Sequence, residues 1–275
     1  MQEKEIHITI PPLLSREGAR GWVENWTIIH YKAFWDEQSK EKVLILHWWW
    51  GKSDSWIDVA NWLSSQWFFV VVPDLPWFGK THLPSVYTMD NYRNIIEAFA
   101  KKLKLDTSWI TLIGHSNGWA ISTKLSISKK IKIKSLILIW SAWIRNKKST
   151  SLKRKIYNIL LFPAKIIKNL PGWTQIRKLF YKAIGWHDYL AAEQNPLLKK
   201  TFLNIIHTDL QEVFPKIDIK TSLIRWDSDT YTPLSDGSLI HSLIPKSTLT
   251  VLPWEKHWIH LQNPDLLVKT ILKHI

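Results

Sequence analysis

Gly114-His115-Ser116-Asn117-Gly118 stands where an apolar run, Ile110-Thr111-Leu112-Ile113, passes into a stretch with helical spacing. A serine flanked by glycines at a strand-to-helix junction is carried on a sharp turn that lifts its hydroxyl clear of the sheet. That hydroxyl attacks a carbonyl only when a base takes its proton and an acid orients the base. Both partners are available further along. The run Ser222-Leu223-Ile224-Arg225-Trp226 is followed by Asp227 and Asp229, and Leu249-Thr250-Val251-Leu252 is followed by His257 and His260. Each group thus stands just past an apolar run, in the order nucleophile, acid, base. His257-x-x-His260 lacks the HExxH context and the acidic third ligand of a metal pair, so no metal is expected.

The elements needed to hold these groups alternate along the chain, as in a mostly parallel sheet covered on both faces. Strands are predicted at 27–34, 43–47, 68–74, 110–115, 133–142, 221–227 and 247–253. Helices are predicted near 54–65, over 89–103 with Asp90 as N-cap, after the serine, near 235–243 and over 264–274. Residues 143–215 break the alternation with helical spacing, Pro163, Pro171 and Pro196, and no convincing strand. They read as an inserted helical cap, with the core formed by 1–142 and 216–275.

Gly114-His115-Ser116-Asn117-Gly118, with an acid and a histidine at later strand ends, resembles the α/β-hydrolase superfamily over nearly the whole chain outside the cap. The resemblance implies an α/β-hydrolase fold with the cap inserted after the sixth strand. It makes Ser116 the nucleophile, His257 the base and Asp229 the orienting acid, because Pro233 follows Asp229 as in the family pattern. Asp227 is then a loop-capping carboxylate, and His260 packs or bonds at the start of a helix. The oxyanion hole falls to the backbone N–H groups of Asn117 and Trp49, the latter in His47-Trp48-Trp49-Trp50-Gly51, where the family often has His-Gly-x-Gly-Gly. A serine at the elbow argues against the dehalogenase and epoxide hydrolase branches, which place Asp there.

Composition raises a separate problem. The chain has 19 Trp and 9 Gly in 275 residues, the reverse of ordinary usage, in which Gly is about 7%. Thirteen of the tryptophans fall where the family or a turn favours glycine: Trp26, Trp35, Trp48, Trp50, Trp67, Trp77, Trp119, Trp140, Trp143, Trp186, Trp226, Trp254 and Trp258. Returning them to glycine brings both residues to about ordinary levels. A UGA codon that the source reads as glycine and the written sequence records as Trp accounts for all of them. Taken literally, Trp48, Trp50 and Trp119 would crowd the oxyanion loop and the elbow.

The net charge of +14 is concentrated between Trp143 and Ile205, where thirteen Lys and Arg face only Asp188 and Glu193. No recognition-helix, zinc-finger or RNA-binding signature accompanies this charge, so no nucleic-acid partner is expected. The cap segment 151–170 is basic and amphipathic. It suits an anionic or lipid-like acyl substrate, an acyl carrier protein or weak contact with a membrane surface. The chain has no cysteine, no secretory leader pattern and no 18-residue apolar run, which together lead to the expectation of a soluble cytoplasmic protein. The expected activity is hydrolysis of a carboxylic ester or related acyl compound, without a cofactor. The same triad also serves acyltransferases and C–C bond hydrolases, and a catalytically silent binding protein on this scaffold is the alternative of another class.

Overall fold

A computed structural model describes residues 1–10, 25–81, 85–140, 175, 187–227, 234–255 and 257–275. Its centre is an eight-stranded sheet in the order β1-β2-β4-β3-β5-β6-β7-β8. The strands are β1 (Gln2–Ile10), β2 (Asn25–Phe34), β3 (Lys42–Leu46), β4 (Phe69–Pro73), β5 (Ile110–His115), β6 (Ile133–Ile139), β7 (Lys220–Trp226) and β8 (Ser247–Leu252). β1 and β2 pair antiparallel, and β2 pairs antiparallel with β4. All pairings from β4 to β8 are parallel.

Burial on both faces explains the unbroken apolar strands. Leu44, Leu46, Val71, Leu112 and Leu136 enter one core, whereas Val43, Ile45, Val70, Val72 and Ile137 enter the other. The alternation is the two-residue period of a strand sandwiched between helical layers. The first core is covered by α2 (Met89–Lys102) and α3 (Asn117–Ser128), the second by α1 (Ile57–Ser65) and α8 (Pro264–Leu272). The remaining helices are α4 (His187–Ala192), α5 (Pro196–Ile206), α6 (Leu234–Leu243) and the short α7 (Ile259–Gln262).

Strand β1 escaped the sequence reading, although Glu5-Ile6-His7-Ile8 alternates. The N-cap of α2 is Thr88, not Asp90: Thr88 Oγ1 accepts from Asn91 N at 3.3 Å, and Asn91 Oδ1 accepts from Thr88 N at 2.7 Å. Asp90 is already the second residue of the helix, two positions past the cap, and instead accepts from Arg93 and Lys124. Within the expected cap, 187–215 holds α4 and α5. Apart from Gln175, 141–186 lies outside the described residues.

Nine described residues other than glycine have a left-handed backbone, and six are tryptophan: Trp35, Trp50, Trp67, Trp77, Trp140 and Trp254. A side chain with a Cβ pays for that conformation sterically, and a bulky one is a genuine outlier. Two of the surroundings are glycine motifs. After α1, Phe68 N donates to Leu63 O and Trp67 N to Ser64 O, the paired bonds of a Schellman cap with Trp67 (φ 69) at its left-handed position. In Leu75-Pro76-Trp77-Phe78, Phe78 N donates to Leu75 O at 2.9 Å and Trp77 has φ 79. Proline second and positive φ third is the arrangement of a type II turn, whose third residue is normally glycine. Not all thirteen expected sites behave this way. Trp26 lies in β2, Trp226 in β7 and Trp119 in α3, and these three, with Trp48 and Trp258, are not left-handed. Trp143 and Trp186 lie outside the described residues.

Candidate active site

Ser116 joins β5 to α3 with φ 52 and ψ −113. Such a backbone in a residue with a Cβ persists only where its surroundings impose it. Here Ser116 N donates to Ile139 O of the neighbouring strand, and Ser116 O accepts from Trp119 N in the first turn of α3. The two glycines make the junction sterically feasible. A Cβ on Gly114 would meet Ser122 Oγ at 2.5 Å, and one on Gly118 would meet Leu46 O at 2.0 Å. The start of α3 can therefore press against the end of β3.

That approach ties the elbow to the loop after β3. Gly118 N donates to His47 O at 3.0 Å. The His47 ring, fully buried, braces the loop from inside: Leu75 N donates to its Nε2 at 2.9 Å, so the ring proton is on Nδ1, which donates to Trp48 O at 2.8 Å. Burial pushes the His47 pKa down to about 4, so the ring stays neutral and keeps this tautomer at neutral pH. The loop then turns through Trp48–Gly51, closed by Gly51 N to Trp48 O at 2.9 Å, with Trp50 at φ 65. Trp49 N and Asn117 N, on the two sides of the Gly118–His47 bond, donate no hydrogen bond among the described residues.

The structure brings His257 to this junction. Its ring lies 5.1 Å from that of His115, the residue before Ser116. Two tryptophans confine it, Trp258 at 4.6 Å and Trp140 at 3.6 Å between ring centroids. The second separation is tighter than the about 4.5–7 Å of ordinary aromatic pairs. Trp48 is also packed inward, 4.4 Å from the ring of His260 and 5.5 Å from that of His115, so the expected crowding of the loop is present.

His260 packs, as expected, at the start of α7, stacked on Trp56 with ring centroids 4.8 Å apart. Burial holds its pKa down to about 3, and burial holds His115 well below the usual histidine range. Asp227 caps a loop: its Oδ1 accepts from Trp254 N at 3.0 Å, in the turn leading to His257. Asp229 lies outside the described residues.

Two supports were not foreseen in the sequence. Asp74, after β4, accepts from Ser53 N at 2.6 Å and Lys80 N at 2.8 Å, fastening two loops beside the site. Phe202, on α5 of the cap segment, packs its ring 5.3 Å from that of Trp49, which also touches Phe78. The Pro-Asp after β4 was the available signal for Asp74. Nothing local marks Phe202, because the contact joins distant segments. Among the described residues no group of three His, Asp or Glu could hold a metal ion.

The family model described as alpha/beta hydrolase fold matches residues 41–161. The chain is 18% identical to an esterase from Exiguobacterium antarcticum, with a TM-score of 0.67 over 90% of this chain and 95% of that one. It superposes on a bromoperoxidase from Bacillus anthracis with a TM-score of 0.68 at 18% identity, over 98% and 99% of the two chains.

The chain has the α/β-hydrolase fold.

Among curated proteins this chain is similar to the Uncharacterized hydrolase YugF of Bacillus subtilis, 23% identical over 75% of this chain and 80% of that one. The family model and the relative agree on an enzyme of the α/β-hydrolase type, and the esterase shares its fold. In this fold the strand order places the β5–α3 junction centrally on the sheet edge. Ser116, the His47–Gly51 loop and His257 all lie at that edge, past the ends of β5, β3 and β8.

Proposed function

We propose that this protein is a serine hydrolase that cleaves a carboxylic ester or related acyl compound through an acyl-enzyme on Ser116. The strained backbone of Ser116 at the end of a central parallel strand carries the reading, since strain of this kind is maintained at reactive positions. His257 takes the Ser116 proton as the hydroxyl attacks the carbonyl, and Asp229 orients His257. The N–H groups of Trp49 and Asn117 receive the developing oxyanion, a contribution of about 3 kcal/mol per donor in comparable sites. His257 returns its proton to the leaving group, then activates the water that releases the acid. Residues 143–215 form a cap over the core of 1–142 and 216–275 and select the acyl group. The structural neighbours include an esterase, a membrane phospholipase A and a thioesterase domain, beside a bromoperoxidase and a meta-cleavage product hydrolase, so acyl chemistry is among the uses of this fold.

The form made in its own cells carries glycine at most of the thirteen tryptophan sites. The six left-handed tryptophans support this, because all six belong to that set, and so does the Trp140 ring pressed on His257. The chain as written is then the catalytically silent scaffold, and the glycine form is the enzyme.

Fluorophosphonate labelling followed by peptide mass spectrometry tests both statements. Protein from the source cells is expected to label at Ser116 in a peptide with glycine at 119, and the separate peptides spanning 140 and 254 are expected to carry glycine there. The chain with tryptophan at every written position is expected not to label. Absence of label on folded cellular protein sinks the serine mechanism. Tryptophan at those positions in the cellular protein sinks the glycine reading. Release of acid to water, measured against transfer to an added alcohol and against cleavage of a vinylogous diketone, separates the hydrolase from the acyltransferase and the C–C hydrolase.

A further inference from the structure

The parallel strands begin at the sheet edge opposite Ser116, and that edge is basic. Two adjoining grooves of about 660 and 280 Å³ run across it, between the starts of β5, β6 and β7. Their floor is aliphatic, with Ile131, Ile133 and Ile219, and their rim carries Lys129, Lys132, Lys216 and Lys220. All four lysines are exposed, and none has a carboxylate partner among the described residues. Lysine at a helix C-terminus answers the helix dipole, but this accounts for Lys129 alone. Lys132 and Lys220 stand at strand starts, and Lys216 ends a short 3-10 turn. Asp218, the one carboxylate lining the grooves, is already paired with Lys246.

Trp109 stands in the middle of this charge, 61% exposed. It is not left-handed and is not one of the glycine-like sites, so its indole belongs to the protein. Its ring lines both grooves together with Ile133 and Ile219, so the apolar surface here is contiguous and rimmed by charge, the form of an interaction site.

We propose that this face docks on a lipid bilayer bearing anionic headgroups, with Trp109 at the headgroup level and the four lysines against the phosphates. An indole is suited to an interface with one wet and one apolar side. Lysines spread around it extend their charge to the surface while their stems cover apolar area. Single-stranded nucleic acid is the weaker match, because it uses several aromatic platforms in series and these grooves contain one ring over isoleucines. Docking by this edge turns the Ser116 edge away from the bilayer, so the membrane positions the protein without feeding the site. The inference is independent of the proposed chemistry.

Co-sedimentation of the full chain with vesicles tests it. Phosphatidylcholine vesicles containing phosphatidylglycerol are expected to bind the protein in a salt-sensitive way, and pure phosphatidylcholine vesicles are not. Near an anionic surface each lysine raises partitioning on the order of fivefold. The variant K129E/K132E/K216E/K220E should therefore lose on the order of a hundredfold or more, and Trp109→Ala should lose severalfold. Circular dichroism checks the fold, and the glutamine version of the same four changes serves if the reversed charges disturb it. Three outcomes overturn the proposal: no binding to the anionic vesicles, undiminished binding by both lysine variants, or stronger binding to a poly(U) competitor than to the vesicles.

Discussion

At the elbow, β5 passes into α3 over Gly114 and Gly118, and the chain approaches so closely that a single added carbon on Gly118 would overlap the carbonyl of Leu46. Across one hydrogen bond, Gly118 N to His47 O, the facing loop makes its own tight turn with Trp50 at φ 65. Two segments facing the same junction thus make different demands: Gly118, which is not left-handed, is needed for the close approach, whereas Trp50 carries the largest side chain on a left-handed backbone that suits glycine. The backbone angles explain why both traces are nevertheless regular. Each loop is fixed by its hydrogen bonds and strand ends, and the side chain written at its tightest position does not determine its path. Glycine satisfies that path at no steric cost, whereas tryptophan satisfies it under strain.

The largest test of this comparison replaces Trp35, Trp50, Trp67, Trp77, Trp140 and Trp254 by glycine together. Relief of about 1 kcal/mol net per site, additive over separate loops, should raise stability by about 6 kcal/mol. The thermal midpoint is then expected to rise by about 15 °C. A lower midpoint breaks the comparison. Gly118→Ala probes the opposite side. It should cost at least about 4 kcal/mol, because the contact atom is backbone and cannot swing away, and denaturant titration reads the loss.

The buried histidines provide the third test. His47, His115 and His260 all have folded pKa values below their ordinary one, so the unfolded chain binds more protons on acidification. Stability should be complete above about pH 6.5 and fall as the pH drops towards 4, where His47 begins to charge. Urea midpoints across that range should decline, and His260→Gln should flatten the slope. The smallest expected effect is that of Asp227→Asn. It weakens the charge-assisted bond to Trp254 N and should cost about 1 kcal/mol, with any ester turnover reduced through a looser approach to His257.

Much of this was legible in the sequence. Ser116 at a strand-to-helix turn, the later strand ends that carry Asp227 and His257, and the strands from β2 to β8 all follow from apolar runs punctuated by turns. The N-cap of α2 did not, because Thr88 and Asp90 are both good caps and only the register of the first turn decides between them. β1 was missed because its polar, charged outer face masks a short alternation. Of the thirteen tryptophans singled out in the sequence, six have a left-handed backbone and five other described ones do not. Trp67 and Trp77 stand where a cap and a turn need positive φ, whereas Trp119 and Trp226 have helical and strand surroundings that composition could not distinguish from turns.

The left-handed Trp35, at the close of β2, also governs how the protein can be produced. If its codon is UGA, a host that treats UGA as a stop releases the nascent chain no later than Phe34. The peptide then ends before β3, with no elbow, no His47 and no parallel sheet to fold around. Production of the full chain in such a host therefore depends on rewriting those codons, and whether each is rewritten as glycine or tryptophan decides which protein is made.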